Sequence, residues 1–313
     1  MRLHRNALGA MALAVTLAVA AAGCGGSGTP GAGDRLTVVT GFYPLQFVAE
    51  RVGGDRVQAT SLAQPGAEPH DLELTTSQVR SMYDAAAVIH LRGFQPAVDK
   101  VIDQSGVAAL DVTSVVELLT LSQTGGEHGH EHGEEEGPQD EATDPHVWLD
   151  PTRLATIASA VAARLGELDP DGAAGYQERA RALTAELTAL DDEYAAALAQ
   201  CERREIVVSH AAFGYLAHRY DLAQIAITGL SPDTEPTPDE LATAAQEARE
   251  HGATTIFFET LVSPAVAQAV ADTVGANTAV LDPIEGLQPG SSGDYLSVMR
   301  ANLSTLRTAL ACT

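Results

Sequence analysis

Two short stretches of the chain share a pattern suited to binding a metal ion: AEPHDLELT at residues 67 to 75 and TDPHVWLDP at residues 143 to 151. Each places a histidine directly after a proline with an acid a few residues on, so Pro69-His70-x-Leu72-Glu73 is answered by Pro145-His146-x-x-Leu149-Asp150. A neutral imidazole ligates through one ring lone pair and needs its other N–H held by an acceptor. Asp71, Glu73, Asp144 and Asp150 are available for that role. Proline ahead of each histidine narrows the local backbone, which lowers the entropy lost when the ligand is fixed.

The elements that must position these residues are legible as short apolar runs alternating with helical patterns. LTVVTG, VQATSL and AAVIHL alternate with helices near Pro44–Val52, Ser77–Tyr83 and Gln95–Gln104. Later EIVVS, AQIAIT, TTIFFE and TAVLD alternate with helices near Ala211–Tyr220, Pro238–His251, Ala265–Val274 and Tyr295–Ala309. Such alternation predicts parallel sheets with helices on their faces. Between the two halves, Tyr176, Ala180, Leu183, Leu187, Leu190, Tyr194 and Leu198 step by four and three, which predicts one long amphipathic helix within 170–200. The fold class is therefore α/β, with two lobes, each a mostly parallel sheet flanked by helices, joined by one long rigid helix.

Polar residues fall at the strand ends, where open α/β sheets bind ligands. His70 follows VQATSL, His210 follows EIVVS, Glu259 ends TTIFFE and Asp282 ends TAVLD, while His146 precedes a helix that starts near Pro151. Three imidazoles and one carboxylate form a four-donor set suited to Zn2+. Taken singly, a loop histidine is usually a solvated surface group, and Asp282 before Pro283 is a ready turn former. The repeat and the shared strand-end placement favour the metal. His90, His218 and His251 read as core or surface residues.

The first 23 residues carry Arg2 and Arg5 ahead of an apolar stretch ending in Ala21-Ala22-Gly23, the pattern of a secretory signal. Ala-Ala-Gly-Cys is similar to a bacterial lipobox, making Cys24 the expected lipidated residue, with a flexible tether over 24–34. Cys201 and Cys312 remain, an even number that predicts one disulfide in an oxidising compartment. Formal charge is −24, and loss of the leader leaves −26, a surface that repels phosphate backbones and makes nucleic acid an unsuitable partner. The acidic, His-bearing segment 125–141 reads as a mobile loop. No nucleophile elbow, phosphate loop or nucleotide fingerprint is present.

PGAEPHDLE, DPHVWLDP, VVSHAAFGYLAHRYDL, TPDELATAAQEAR, IFFET, VLDPIEG and DYLSVMRANLSTL occur in that order. Together they resemble the successive blocks of the solute-binding lipoproteins of zinc and manganese ABC transporters, from about Leu36 to Leu310. The resemblance implies lobes over 35–169 and 201–313, a linking helix over 170–200, and a metal held between the lobes by His70, His146, His210 and Asp282. It implies capture of extracytoplasmic Zn2+ by a monomer anchored to the cell membrane, and delivery to an ABC permease. His210 favours zinc, because manganese members tend to carry glutamate there and softer donors suit zinc; Mn2+ is the alternative cargo. His128, His130 and His132 resemble the auxiliary metal-collecting loop of zinc members, and Glu259 is expected to support the site from behind. HLRGFQP at 90–96 departs from the family's usual turn and is expected to touch no ligand. A zinc hydrolase with Glu259 as general base is the competing enzyme reading, and an adhesin or sensor on the same scaffold is the third. Affinity is expected to fall as pH drops through about 6.

Overall fold

The computed structural model describes residues 35–125, 142–232 and 235–313. The first sheet holds β1 (Leu36–Thr40), β2 (Val57–Ser61), β3 (Ala87–His90) and β4 (Ala109–Asp111) in the order β2-β1-β3-β4, all parallel. The second repeats the order as β6-β5-β7-β8, from β5 (Glu205–Val208), β6 (Ala223–Ala226), β7 (Thr255–Phe258) and β8 (Asn277–Val280). The middles of the central strands are apolar because helices cover both faces. Val38, Val88, Ile206 and Ile256 are all fully buried. In the first lobe the helices are α1 (Tyr43–Gly53), α2 (Thr76–Asp84), α3 (Pro96–Ser105), the short α4 (Leu121–Thr124) and α5 (Pro151–Leu168). Those of the second are α7 (Gly214–Tyr220), α8 (Pro238–Glu250), α9 (Ala265–Val274) and α10 (Tyr295–Ala309).

Local chemistry sets the helix starts. Thr75 and Thr237 close reciprocal capping boxes with Gln78 and Glu240, and Asp294 does the same with Ser297. Asp150 caps α5 by accepting from the Thr152 N–H, with Pro151 in the first turn. The linking helix, α6, spans Ala173–Ala197 and buries Tyr176, Ala180, Leu183, Leu187, Leu190 and Tyr194. It begins later than the stripe alone suggests, because Pro170–Gly172 forms a separate turn whose preceding residue, Asp169, accepts hydrogen bonds from Arg56 and Tyr176. Helix α6 packs on α5, α1 and α10. One apolar cluster runs unbroken from Val38 and Val48 through Leu183 and Leu190 to Ile206 and Leu306. This cluster ties the lobes together and resists continuous deformation, while each lobe keeps a smaller cluster of its own around Val88 and Ile256.

Cys201 and Cys312 are joined in a disulfide that closes the whole second lobe across 111 residues. In the chain-entropy picture such a loop stabilises the fold by roughly 4 to 5 kcal/mol. The paired Cys201→Ser, Cys312→Ser variant should therefore unfold at lower denaturant concentration, and an unchanged midpoint would refute a stabilising role. Among the described residues, no helix is long and apolar enough to cross a membrane.

Candidate metal centre

The ligand-bearing segments converge where the carboxyl ends of the two sheets face each other. His70 lies in the loop after β2. The Glu68 carboxylate accepts from the His70 backbone N–H at 2.9 Å, and the Gln95 side-chain amide donates to the Gly41 and Pro69 carbonyls at 3.1 and 3.2 Å. The Phe94 ring packs on the His70 ring at 4.5 Å. Segment 90–96 thus does bear on a candidate ligand, contrary to expectation: the loop after β3 folds over the one after β2, its neighbour but one in the sheet.

His146 is fully buried, with Nδ1 2.7 Å from Asp144 Oδ1, which also accepts from the His146 N–H at 2.8 Å. Asp144 is therefore the carboxylate that orients this ring, whereas Asp150 is the cap of α5, and Asp71 and Glu73 are exposed. His210, also fully buried, follows β5 and places Nδ1 against Glu259 Oε1, which in turn accepts from the Ser209 hydroxyl at 2.6 Å. His210 and Glu259 follow β5 and β7, the adjacent strands at which the order of the second sheet reverses.

The fourth donor is a correction. Asp282 is absent from the convergent group, and Glu285 stands there instead: His70, His146, His210 and Glu285 each offer one ligand atom within 4.8 Å of the others. Glu285 Oε1 lies 3.2, 3.2 and 3.3 Å from Nε2 of His70, His146 and His210. The Asp282 side chain is engaged behind the site, accepting from the Ile284 N–H at 2.8 Å and the Thr260 hydroxyl at 2.8 Å. Its backbone is pinned on both sides by Asn302. Asp282 shapes the turn, and the turn swings Glu285 inward. Ile284 takes a left-handed φ of 59°, a conformation that costs a β-branched residue about 1–3 kcal/mol and persists only where its surroundings enforce it.

The electrostatics follow from this geometry. Burial alone would depress the His146 and His210 pKa values, but neighbouring carboxylates outweigh it. Asp144 and Glu285 raise His146, and Glu259 and Glu285 push His210 up to about 10. Both ring nitrogens of each histidine face a carboxylate oxygen, so the doubly protonated ring is favoured. Burial alone would raise Glu285, yet hydrogen bonds from His146, His210 and His70 hold it well below the usual carboxylate range. Burial raises Asp282. Glu285 Oε2 is buried without a hydrogen-bond partner among the described residues.

Contacts between lobes close around the group. Gly66, at φ 85°, donates its N–H to the Leu287 carbonyl at 2.8 Å, and Tyr215 donates to the Asp144 carbonyl while accepting from the Leu119 N–H. A Cβ on Gly214 would meet Thr124 Cβ at 2.3 Å and Asp144 Oδ2 at 2.5 Å. Gly214→Ala should therefore push the Asp144 carboxylate off His146 and weaken metal binding by about tenfold or more. Unchanged affinity, measured by chelator competition, would refute the coupling. Cys24, His128, His130 and His132 lie outside the described residues.

A family model described as zinc-uptake complex component A, periplasmic, matches residues 38–309. The high-affinity zinc uptake system protein ZnuA of Bacillus subtilis (strain 168) is 34% identical over 300 residues, covering 92% of this chain and 93% of that protein. The zinc-binding lipoprotein AdcA of Streptococcus pneumoniae serotype 4 is 34% identical over 283 residues, which take in 88% of this chain and 56% of that longer protein. The crystal structure of the Zn(II)-bound ZnuA-like domain of Streptococcus pneumoniae AdcA aligns with a TM-score of 0.73 at 31% identity, covering 88% of this chain and 99% of that one. A family match that spans both sheets and all four convergent residues, with relatives aligned over nearly the whole chain, leads to one conclusion: this chain belongs to the ZnuA family, zinc-uptake complex component A.

Proposed function

We propose that the protein captures extracytoplasmic Zn2+ between its lobes and delivers it to the permease of an ABC transporter. The observation that carries this reading is the convergence of three imidazole nitrogens and one carboxylate oxygen, two residues from each lobe, in a buried pocket between them. Three nitrogen donors and one oxygen match the preference of Zn2+ for compact four-donor sites, whereas Mn2+ favours oxygen-rich, six-donor surroundings. Four protein donors fill a tetrahedral shell and leave no open position for a reacting water. Glu259, the candidate base of a hydrolase, is engaged by His210 and Ser209.

On this reading His70, His146, His210 and Glu285 are the ligands, and Asp144 and Glu259 fix the tautomer and orientation of their histidines. A cleaved leader over 1–23 and a lipid on Cys24 would hold the protein at the outer face of the cell membrane, which fits the lipoprotein AdcA among its relatives. His128, His130 and His132 would serve as an accessory collecting segment.

The test is direct. The protein is stripped of metal and dialysed against equal Zn2+ and Mn2+, and bound metal is counted by elemental mass spectrometry, with His210→Ala in parallel. About one zinc per chain, lost in the variant, is the expected result. Bound manganese would overturn the cargo, and a parent that holds no metal would overturn the function.

A further inference from the structure

Trp148 is the only tryptophan in the chain, and it joins the two halves of the candidate site. It follows His146 by two residues, is 1% exposed, and packs its ring against His146 at 5.2 Å, Phe94 at 5.3 Å and Phe42 at 4.7 Å. Its indole N–H donates to the Pro283 carbonyl at 2.6 Å, and Pro283 precedes Glu285 by two residues. Its own carbonyl accepts from the Tyr295 hydroxyl at 2.6 Å, and the Tyr295 N–H donates to the Tyr43 hydroxyl. One side chain therefore braces a first-lobe imidazole with its ring and holds the backbone of the second-lobe carboxylate turn with its only polar atom.

We propose that Trp148 is a positioning residue for Glu285: its indole hydrogen bond to Pro283 fixes the strained turn that aims the carboxylate at the three histidines. The inference rests on the metal-site reading above. The turn has need of such a restraint, because Ile284 sits at a left-handed φ that its own β-branched side chain disfavours. The Asp282 carboxylate holds the turn at the Ile284 N–H from within the second lobe. Trp148 holds it at the Pro283 carbonyl from the other lobe, so the carboxylate is aimed only when the lobes are seated together. Buried Pro283 oxygen and indole N–H would both lose their partner if the bond were absent.

The experiment exploits the single tryptophan. Biosynthetic replacement by the benzothiophene isostere, in which sulphur stands for the indole N–H, alters one position of the full chain and keeps the ring volume; Trp148→Phe is the encoded companion. Zinc affinity is read by chelator competition in the parent and in Glu285→Ala, with metal-free thermal unfolding as the control for folding. The expected result is a loss of about tenfold or more on removing the donor in the parent. Little further loss is expected in Glu285→Ala, the non-additivity that marks two residues acting through one turn. Equal losses in both backgrounds, or parent-like affinity without the N–H, would overturn the proposal. A parent that binds no zinc would instead overturn the metal-site reading, so the two failures are distinguishable.

Discussion

Glu285→Ala should lower zinc affinity by more than a hundredfold, while Asp282→Asn should change it by less than tenfold. Four-ligand zinc sites bind with about 10–16 kcal/mol, so an even share gives each donor roughly 3 kcal/mol, or somewhat over two decades. Glu285 supplies both a donor atom and the only carboxylate among the four convergent residues; alanine removes both and leaves three imidazoles around a doubly charged ion. Asp282 contributes acceptors to the Ile284 N–H and the Thr260 hydroxyl, and asparagine retains an oxygen for the first of these. Competition against a chelator of known affinity measures both variants. Comparable losses, or a larger loss at Asp282, would return Asp282 to the coordination sphere and refute the assignment of Glu285.

Zinc uptake at neutral pH should expel protons, at least the one carried by His210. His146 and His210 have both ring nitrogens against carboxylates, and their pKa values are raised, that of His210 to about 10. The metal-free pocket thus balances its buried carboxylates with protons on imidazole, and zinc must displace those on Nε2 to reach the lone pairs. The sign follows: apparent affinity falls as pH falls, and because the folded pKa values lie above the ordinary 6.5, the fall begins near pH 10 for His210 and is under way at neutral pH. Unperturbed imidazoles would confine the change to the region near pH 6, the window expected from the histidines alone. The same protons contribute stability to the metal-free protein that is fully present below pH 6.5 and lost as pH rises through about 10 for His210. Titration calorimetry in buffers of different ionisation enthalpy yields the proton count. A count near zero at pH 7 would show that the imidazoles carry no extra proton before zinc arrives, and would refute the raised His210 pKa.

Much of this architecture was legible in the residues. The α10 boundaries, Tyr295–Ala309, and the stripe on α6 followed from apolar spacing, and the three histidines followed from the repeated proline-histidine pattern and strand-end placement. The carboxylate did not. Strand-end reasoning selects the first acid after β8, and nothing in the pattern reveals that Ile284 adopts a left-handed backbone that carries the second acid inward. That conformation is enforced by Trp148 and Asn302, one from the other lobe and one from α10. The sequence left Asp71, Glu73, Asp144 and Asp150 equally open as imidazole partners; the choice of Asp144 over Asp150 emerges only when Asp150 is seen to cap α5. The Gln95 contact with Pro69 and the Phe94 contact with His70 depend on how loops after different strands lean on each other, which local sequence does not encode.

The two sheets share one strand order, and His146 and Glu285 both come after the fourth strand of their lobes, yet the other two convergent residues do not occupy matching places. His70 follows the second strand of its lobe, whereas His210 follows the first strand of the other. The scaffold is repeated while the inner shell is lopsided, with two imidazoles contributed by one side and an imidazole and a carboxylate by the other. A chimera built from two first lobes would offer a divalent ion four imidazole rings and no carboxylate among its direct donors. One built from two second lobes would offer it two carboxylates among its direct donors. The natural pairing stops between these extremes, with one carboxylate among its four direct donors, so the lobes are not interchangeable modules.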